Sequence, residues 1–270
     1  MEEAPLVAES EVHAEHAAGD AQADLYVMGA GVAFPDQLTI QTVEMLSCCK
    51  EIYTNMRDFQ LDALPPELRS KCVSIWSLYR DERERALNYK DVTDMVIGRA
   101  MSVRPFGWMT PGHPLVFDSV SQALLKIGKE RGWRVHIAPG ISCLDTIFVD
   151  VGFDPADGLI VHEANALVKQ NVPLLTNLAA LLLQPAAFGT DRAQLSPQWR
   201  PDLAPLRDYI CQFHAPDHEC AFVSSSPSVD RKHKIWWSRV DELESIPTEA
   251  LHTSTLFIPP AGGSFSKSAR

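Results

Sequence analysis

The chain has 270 residues, 46% of them hydrophobic and 22% charged, enough for a large core in one or two domains of an ordinary soluble protein. Its longest apolar run, within 174–188, is broken by Thr176, Asn177 and Gln184, and its amino terminus is acidic, so neither a membrane span nor a secretory signal is expected and a cytoplasmic location is. The net charge is −11; the six acids of residues 1–23 account for much of it and leave −5 for the body, which argues against a surface that tracks a nucleic-acid backbone.

Residues 1–23 are rich in Ala, Glu and His without periodicity and are expected to form an acidic tail. A short β-run at 25–28 follows, then Gly29-Ala30-Gly31 and a helix over 40–49 capped by Thr39. Strand, Gly-x-Gly, helix suggests a dinucleotide fold, but Phe34 stands where the third glycine is needed, so NAD is rejected. Gly29 and Gly31 are expected to shape a turn bordering the site. Strands are expected at 51–54 and 72–76, with a mixed connection over 57–70 between them. A long helix is expected from about Glu82, with an apolar stripe through Leu87, Val92, Met95, Val96 and Ala100. Arg85 and Tyr89 share one face of it, and Tyr79 precedes Arg85 by six residues. Taken alone, these three read more readily as a solvated rim of the helix.

The centre of the chain is two similar turns. TPGHPLVF (110–117) follows a strand over 106–109 and opens a helix over 115–128; APGISCLD (138–145) follows a strand over 133–137 and opens a helix over 142–151. A strand leading through a Pro/Gly turn into a helix is how open α/β sheets form a ligand crevice at their carboxyl ends. Further strands are expected at 159–162, 178–184, 220–224, 234–239 and 252–258, with an exposed polar loop over 189–205 and a helix over 205–213. The six cysteines form no C-x-x-C and are expected to be reduced; His214, His218 and Cys220 have ligand chemistry but lie in a Pro-rich loop, and no metal is expected. The fold class is therefore α/β, with one lobe over 24–138, a second over 139–261, a cleft between them and a flexible end over 262–270.

The order and spacing of LYVMGAG, GHPLVF, APGISCLDTIFVDVGFDP, HEAN, LLLQ and STLFIPP resemble the tetrapyrrole-methylase-like (class III) S-adenosylmethionine methyltransferases. Within that superfamily they look most like the borosin peptide-backbone α-N-methyltransferases. The resemblance implies a two-lobed homodimer with S-adenosylmethionine bent in the cleft. It places Pro111, His113, Val116 and Phe117 around the methionine part, with Ser142 and Cys143 from the second turn. Gln184 and, near the adenine, Ser254 and Thr255 complete the implied cofactor set. LYRDERERALNY matches the borosin spacing of Tyr, Arg and Tyr, which makes Tyr79, Arg85 and Tyr89 the implied catalytic trio and Trp76 a wall of the peptide channel.

Arg85 would stabilise charge on an amide oxygen. Tyr79, its pKa lowered by Arg80, Arg83 or Arg85, would accept the amide proton, and Tyr89 would orient either group. Pro111 and Leu115 depart from the borosin pattern beside GHP, and His113 from the aspartate common in tetrapyrrole enzymes. The end AGGSFSKSAR is not an apolar core peptide, so the expected substrate is a separate precursor peptide. A tetrapyrrole or small-molecule methylase, and a non-catalytic peptide- or nucleotide-binding protein, remain as alternatives.

Overall fold

The computed structural model describes residues 23–228 and 232–262, so the expected acidic tail and flexible end fall almost entirely outside the described residues. The first half builds a parallel five-stranded sheet from β1 (Leu25–Gly29), β2 (Glu51–Thr54), β3 (Cys72–Ser74), β4 (Phe106–Thr110) and β5 (Val135–Ala138), in the order β3-β2-β4-β1-β5. β1 and β4 are buried at every position, as strands covered by helices on both faces must be. Alternation then divides the side chains. Tyr26, Met28, Ile52 and Met109 pack on one face with Leu46 of α1 (Ile40–Cys48). Leu25, Val27, Phe106 and Trp108 pack on the other, against α4 (Arg85–Ala100) and α5 (Ser119–Glu130). The Trp108 indole is fully buried and donates to Ser121 Oγ at 3.0 Å, so its burial strands no donor.

The second half builds a mixed sheet from β6 (Leu159–Glu163), β7 (Ala179–Leu183), β8 (Glu219–Ser224), β9 (Lys234–Arg239) and β10 (Thr255–Ile258), in the order β6-β7-β10-β8-β9. Only the β6–β7 pair in it is parallel. α6 (Cys143–Val151) sends Ile147 and Val151 onto Leu181, Val223 and Phe257. α7 (Ala164–Lys169) and α8 (Ala204–Ile210) cover the opposite face through Leu167, Leu206 and Ile210. Both halves are α/β, and the fold is that of two sheets joined through α6.

Several boundaries differ from those expected, for identifiable reasons. The helix expected from 115 begins at Ser119, because Phe117 is left-handed (φ 55°) and Asp118 then caps the helix through Ser121 N–H at 2.9 Å. The helix expected from Glu82 begins at Arg85, because Glu82 is also left-handed (φ 56°). The 72–76 strand stops at Ser74 and gives way to a 3₁₀ turn, Trp76–Leu78. The 57–70 connection contains two short helices, α2 (Asp58–Leu61) and α3 (Pro66–Arg69), the latter with proline in its first turn. Among the described residues no helix is long and apolar enough to cross a membrane.

His214 and His218 do not converge with Cys220. The two rings lie 4.5 Å apart, His218 Nε2 meets Pro259 O at 2.9 Å, and no cluster suited to a metal ion occurs among the described residues. His214 is buried and its Nδ1 has no partner. Burial, reinforced by His218, holds its pKa down to about 4. The unfolded chain therefore takes up this proton at higher pH than the folded one, and stability falls as pH drops from the ordinary histidine range toward 4. We expect the wild type to lose about 1–3 kcal/mol between pH 7.5 and pH 4.5 through this group. Urea denaturation at the two pH values checks this, since His214→Gln should show a correspondingly smaller loss.

Candidate functional site

The carboxyl ends of β1, β4 and β5 lie side by side in the first sheet, so the three turns that follow them meet. Gly31 and Gly112 exchange backbone bonds (Gly31 N to Gly112 O 3.2 Å, Gly112 N to Gly31 O 2.8 Å), and Ala30 N donates to Thr110 O at 2.8 Å. A Cβ added to Gly29 would stand 2.5 Å from Gly112 O and 2.7 Å from Gly140 Cα. Gly29-Ala30-Gly31 therefore holds the other two turns together. The chain leaving this knot forms a turn in which Leu115 N–H donates to His113 Nδ1 at 3.0 Å. It then reaches Phe117, which is 44% exposed.

Beyond the turns lies a cleft of about 490 Å³ shared by both halves. The first half contributes Trp76, Tyr79, Arg85, Asn88, Tyr89, Val116 and Phe117; the second contributes Cys143, Gln184, Ser254 and Thr255, among others. Ten of the thirteen residues singled out from the sequence thus line one space. Pro111, His113 and Ser142 do not. Ser142 is buried as the N-cap of α6, its Oγ accepting from Leu144 and Asp145 N–H while the Asp145 carboxylate accepts from Ser142 N–H, a capping box. A second chamber of about 460 Å³ shares Arg85, Tyr89, Phe117 and Gln184 with the first and adds Glu84, Glu163 and Asp191. A further groove, about 660 Å³, runs past Tyr53, Met95 and Arg99 along α4 and contains none of the singled-out residues.

The aromatic wall is continuous. Trp76 stacks on Tyr79 with centroids 5.3 Å apart, Tyr89 meets Tyr79 edge-on at 6.3 Å, and the Arg57 guanidinium covers the Trp76 ring at 4.9 Å. Burial pushes the Tyr79 hydroxyl up to about 12 and raises that of Tyr89 against the pull of Arg85. This overturns the expected lowering of Tyr79 by neighbouring cations. Arg83 is paired with Asp91, and at Tyr79 desolvation, reinforced by Asp118 and Tyr89, outweighs the lowering by Asn55. Both tyrosines are neutral phenols near neutral pH, able to donate hydrogen bonds and poor as bases.

Arg85 is held from the opposite half. Its Nη1 donates to Gln184 Oε1 and its Nη2 to Thr190 O, each at 3.0 Å. The loop expected to be simply exposed, 189–205, pairs here with the chain ahead of α4. Glu82 N donates to Ala193 O at 2.8 Å, Ala193 N to Arg83 O at 2.7 Å, and Arg85 N to Asp191 O at 2.9 Å. Asn88, which sequence reasoning missed, is fully buried; it accepts from Arg80 N–H at 3.2 Å and donates to Arg80 O at 2.9 Å. It thereby fixes the turn between Tyr79 and Arg85. An asparagine on the buried side of an apolar-periodic helix was the available signal.

Comparison with known proteins agrees with this architecture. Among solved structures, uroporphyrin-III-C-methyltransferase from Thermus thermophilus superposes with a TM-score of 0.62 over 89% of this chain and 96% of its own, at 15% identity. A cobalt precorrin-4 methyltransferase of cobalamin biosynthesis does so at 0.60 over 87% and 94%, at 12% identity. Among curated sequences, the methyltransferase/type I borosin cyclic peptide precursor of Coprinopsis marcescibilis is 23% identical over 245 residues, covering 87% of this chain and 62% of that one. The methyltransferase/omphalotin A precursor of Omphalotus olearius is 22% identical over 242 residues, covering 87% and 57%. The chain spans at most about three-fifths of the length of these curated relatives. Residues 24–227 match the profile described as Tetrapyrrole (Corrin/Porphyrin) Methylases, and with most of its length inside that match the chain belongs to the tetrapyrrole methylase family.

Proposed function

We propose that the protein is an S-adenosylmethionine-dependent methyltransferase that methylates backbone amide nitrogens of a peptide supplied as a separate chain. The observation that carries this reading is the placement of Arg85, Tyr79 and Tyr89 in one cleft with the predicted cofactor residues Val116, Phe117, Cys143, Ser254 and Thr255. The relatives whose names describe borosin precursors support the peptide class. In them the methyltransferase and the precursor are one polypeptide. The homodimer implied by the resemblance belongs to the same proposal.

The cleft suits such a donor in size, and its lining mixes apolar walls with a few hydroxyl and amide groups, the usual make-up of a nucleoside-sized site. S-adenosylmethionine supplies an electrophilic methyl group on a sulfonium. Ser254 and Thr255 would face its nucleoside end, and Val116, Phe117 and Cys143 its amino-acid end. Burial raises the Cys143 thiol, which keeps it protonated and unreactive toward an electrophilic methyl.

An amide nitrogen is a weak nucleophile because its lone pair is delocalised into the carbonyl. The nitrogen becomes nucleophilic only as its N–H proton leaves to bulk solvent, which requires a donor that holds the negative charge of the resulting imidate on the oxygen; the methyl then passes from sulfur to nitrogen. Arg85, permanently charged and planar, is the group here that can hold that charge, and the phenols add neutral donors. The aromatic wall from Trp76 to Tyr89 holds the acceptor and excludes water, so positioning supplies much of the rate.

The test combines calorimetry with mass spectrometry. S-adenosylmethionine should bind, and a Val/Ile-rich peptide offered in trans should gain whole methyl increments on backbone nitrogens, with S-adenosylhomocysteine released in equal amount. A methylated porphyrinoid with no peptide product, or no donor binding at all, would overturn the proposal.

A further inference from the structure

Gln184 stands out from the other predicted donor contacts. It directly follows β7, is left-handed (φ 57°, ψ 44°) and precedes Pro185, a position where α-type backbone is disfavoured. A non-glycine residue held there marks a constraint imposed by its surroundings. The constraint is visible: the Gln184 side chain reaches across to the other half of the molecule, where its Oε1 accepts from Arg85 Nη1 at 3.0 Å. Thr190 O takes the second terminal nitrogen of the same guanidinium at 3.0 Å. Two anchors on a planar fork fix both its position and its plane; one anchor leaves it free to swing.

We infer that Gln184 is a positioning residue that aims the Arg85 guanidinium. The inference rests on the proposed role of Arg85 and deepens it. Arg85 is presented by the first amino-terminal turn of α4, yet the groups that orient it all come from the second half, beyond β7. The catalytic arrangement is complete only when the two halves are docked. The backbone pairing of Glu82, Arg83 and Arg85 with Asp191 and Ala193 provides that docking independently of Gln184. Loss of the Gln184 contact should therefore disturb the aim of Arg85 without opening the cleft.

The experiment uses Gln184→Asn and Gln184→Glu. Asparagine accepts left-handed backbone readily but is one carbon too short to reach Arg85. Glutamate keeps an acceptor at the right length. The expected result for Gln184→Asn is a kcat for peptide methylation lowered by about 10–100-fold, the penalty of a misplaced group near the chemistry, with the Kd for S-adenosylmethionine within about two-fold. Gln184→Glu should recover most of that loss. A second readout does not depend on turnover: nitrogen-15 NMR of the arginine side chains, with Arg85 assigned by loss of its signal in Arg85→Lys. The Arg85 guanidinium should show restricted rotation in the wild type and in Gln184→Glu, and averaged rotation in Gln184→Asn. Weaker donor binding with kcat intact in Gln184→Asn, or an unchanged kcat with Arg85 still rigid, would overturn the inference. A wild type that methylates no peptide sinks the proposed function instead, and the NMR comparison still decides whether Gln184 holds Arg85.

Discussion

Replacing Gly29 by alanine is expected to cost at least about 4 kcal/mol, a large share of the stability of a domain, and to leave little folded protein. The new methyl would lie 2.5 Å from Gly112 O and 2.7 Å from both Gly140 Cα and Gly140 N. All three are backbone atoms of turns fixed by neighbouring strands of the first sheet, so no side chain can rotate away to make room. Relief would require pulling β4 or β5 out of register with β1. Gly112→Ala is the matched control. Nothing lies within 4 Å of its Cβ position, so its cost reduces to the left-handed backbone (φ 70°) and should be about 1–2 kcal/mol. Soluble yield and urea denaturation of the two variants check the contrast; a Gly29→Ala protein within about 1 kcal/mol of wild type would show that the three turns are not knotted as described.

The second large effect is on turnover. Arg85→Ala is expected to lower kcat for peptide methylation by about 10²–10³-fold, the loss measured when one donor to a developing oxyanion is removed. Affinity for S-adenosylmethionine should hold. The fold should hold as well, because the Arg85 N–H to Asp191 bond is made by the backbone and survives the substitution. Arg85→Lys should recover little, since a single ammonium cannot satisfy Gln184 and Thr190 while also facing a substrate oxygen. The measurements are steady-state kinetics on the peptide, calorimetry with the donor, and circular dichroism. Undiminished turnover in Arg85→Ala would remove the central element of the proposed chemistry.

Much of this was legible in the sequence because it is local. The apolar runs that became β1 and β4 and the Pro/Gly turns after β4 and β5 are written in short stretches of chain. What escaped is tertiary. Phe117 and Glu82 are non-glycine residues in the left-handed region, which carries no dependable sequence signal, and each delayed a helix by several residues. The titration of Tyr79 was misjudged because Arg80 and Arg83 are close in sequence, whereas desolvation depends on what packs around the ring. Ser142, implied as a ligand contact, caps α6, and Asp145 three residues later completes a capping box that was readable in advance. The 189–205 loop showed no periodicity because its pairing with the chain ahead of α4 is made mainly by backbone atoms.

That last feature bears on how the molecule can change over generations. A seam made of main-chain bonds ignores most side-chain identities, so residues flanking the mouth of the cleft are free to drift and to explore new acceptors while the closure persists. The prohibition is narrow: proline at 82, 85 or 193, where an N–H crosses the seam, would remove a rung. Diversification of substrate choice and preservation of architecture are thereby assigned to different atoms of the same few residues.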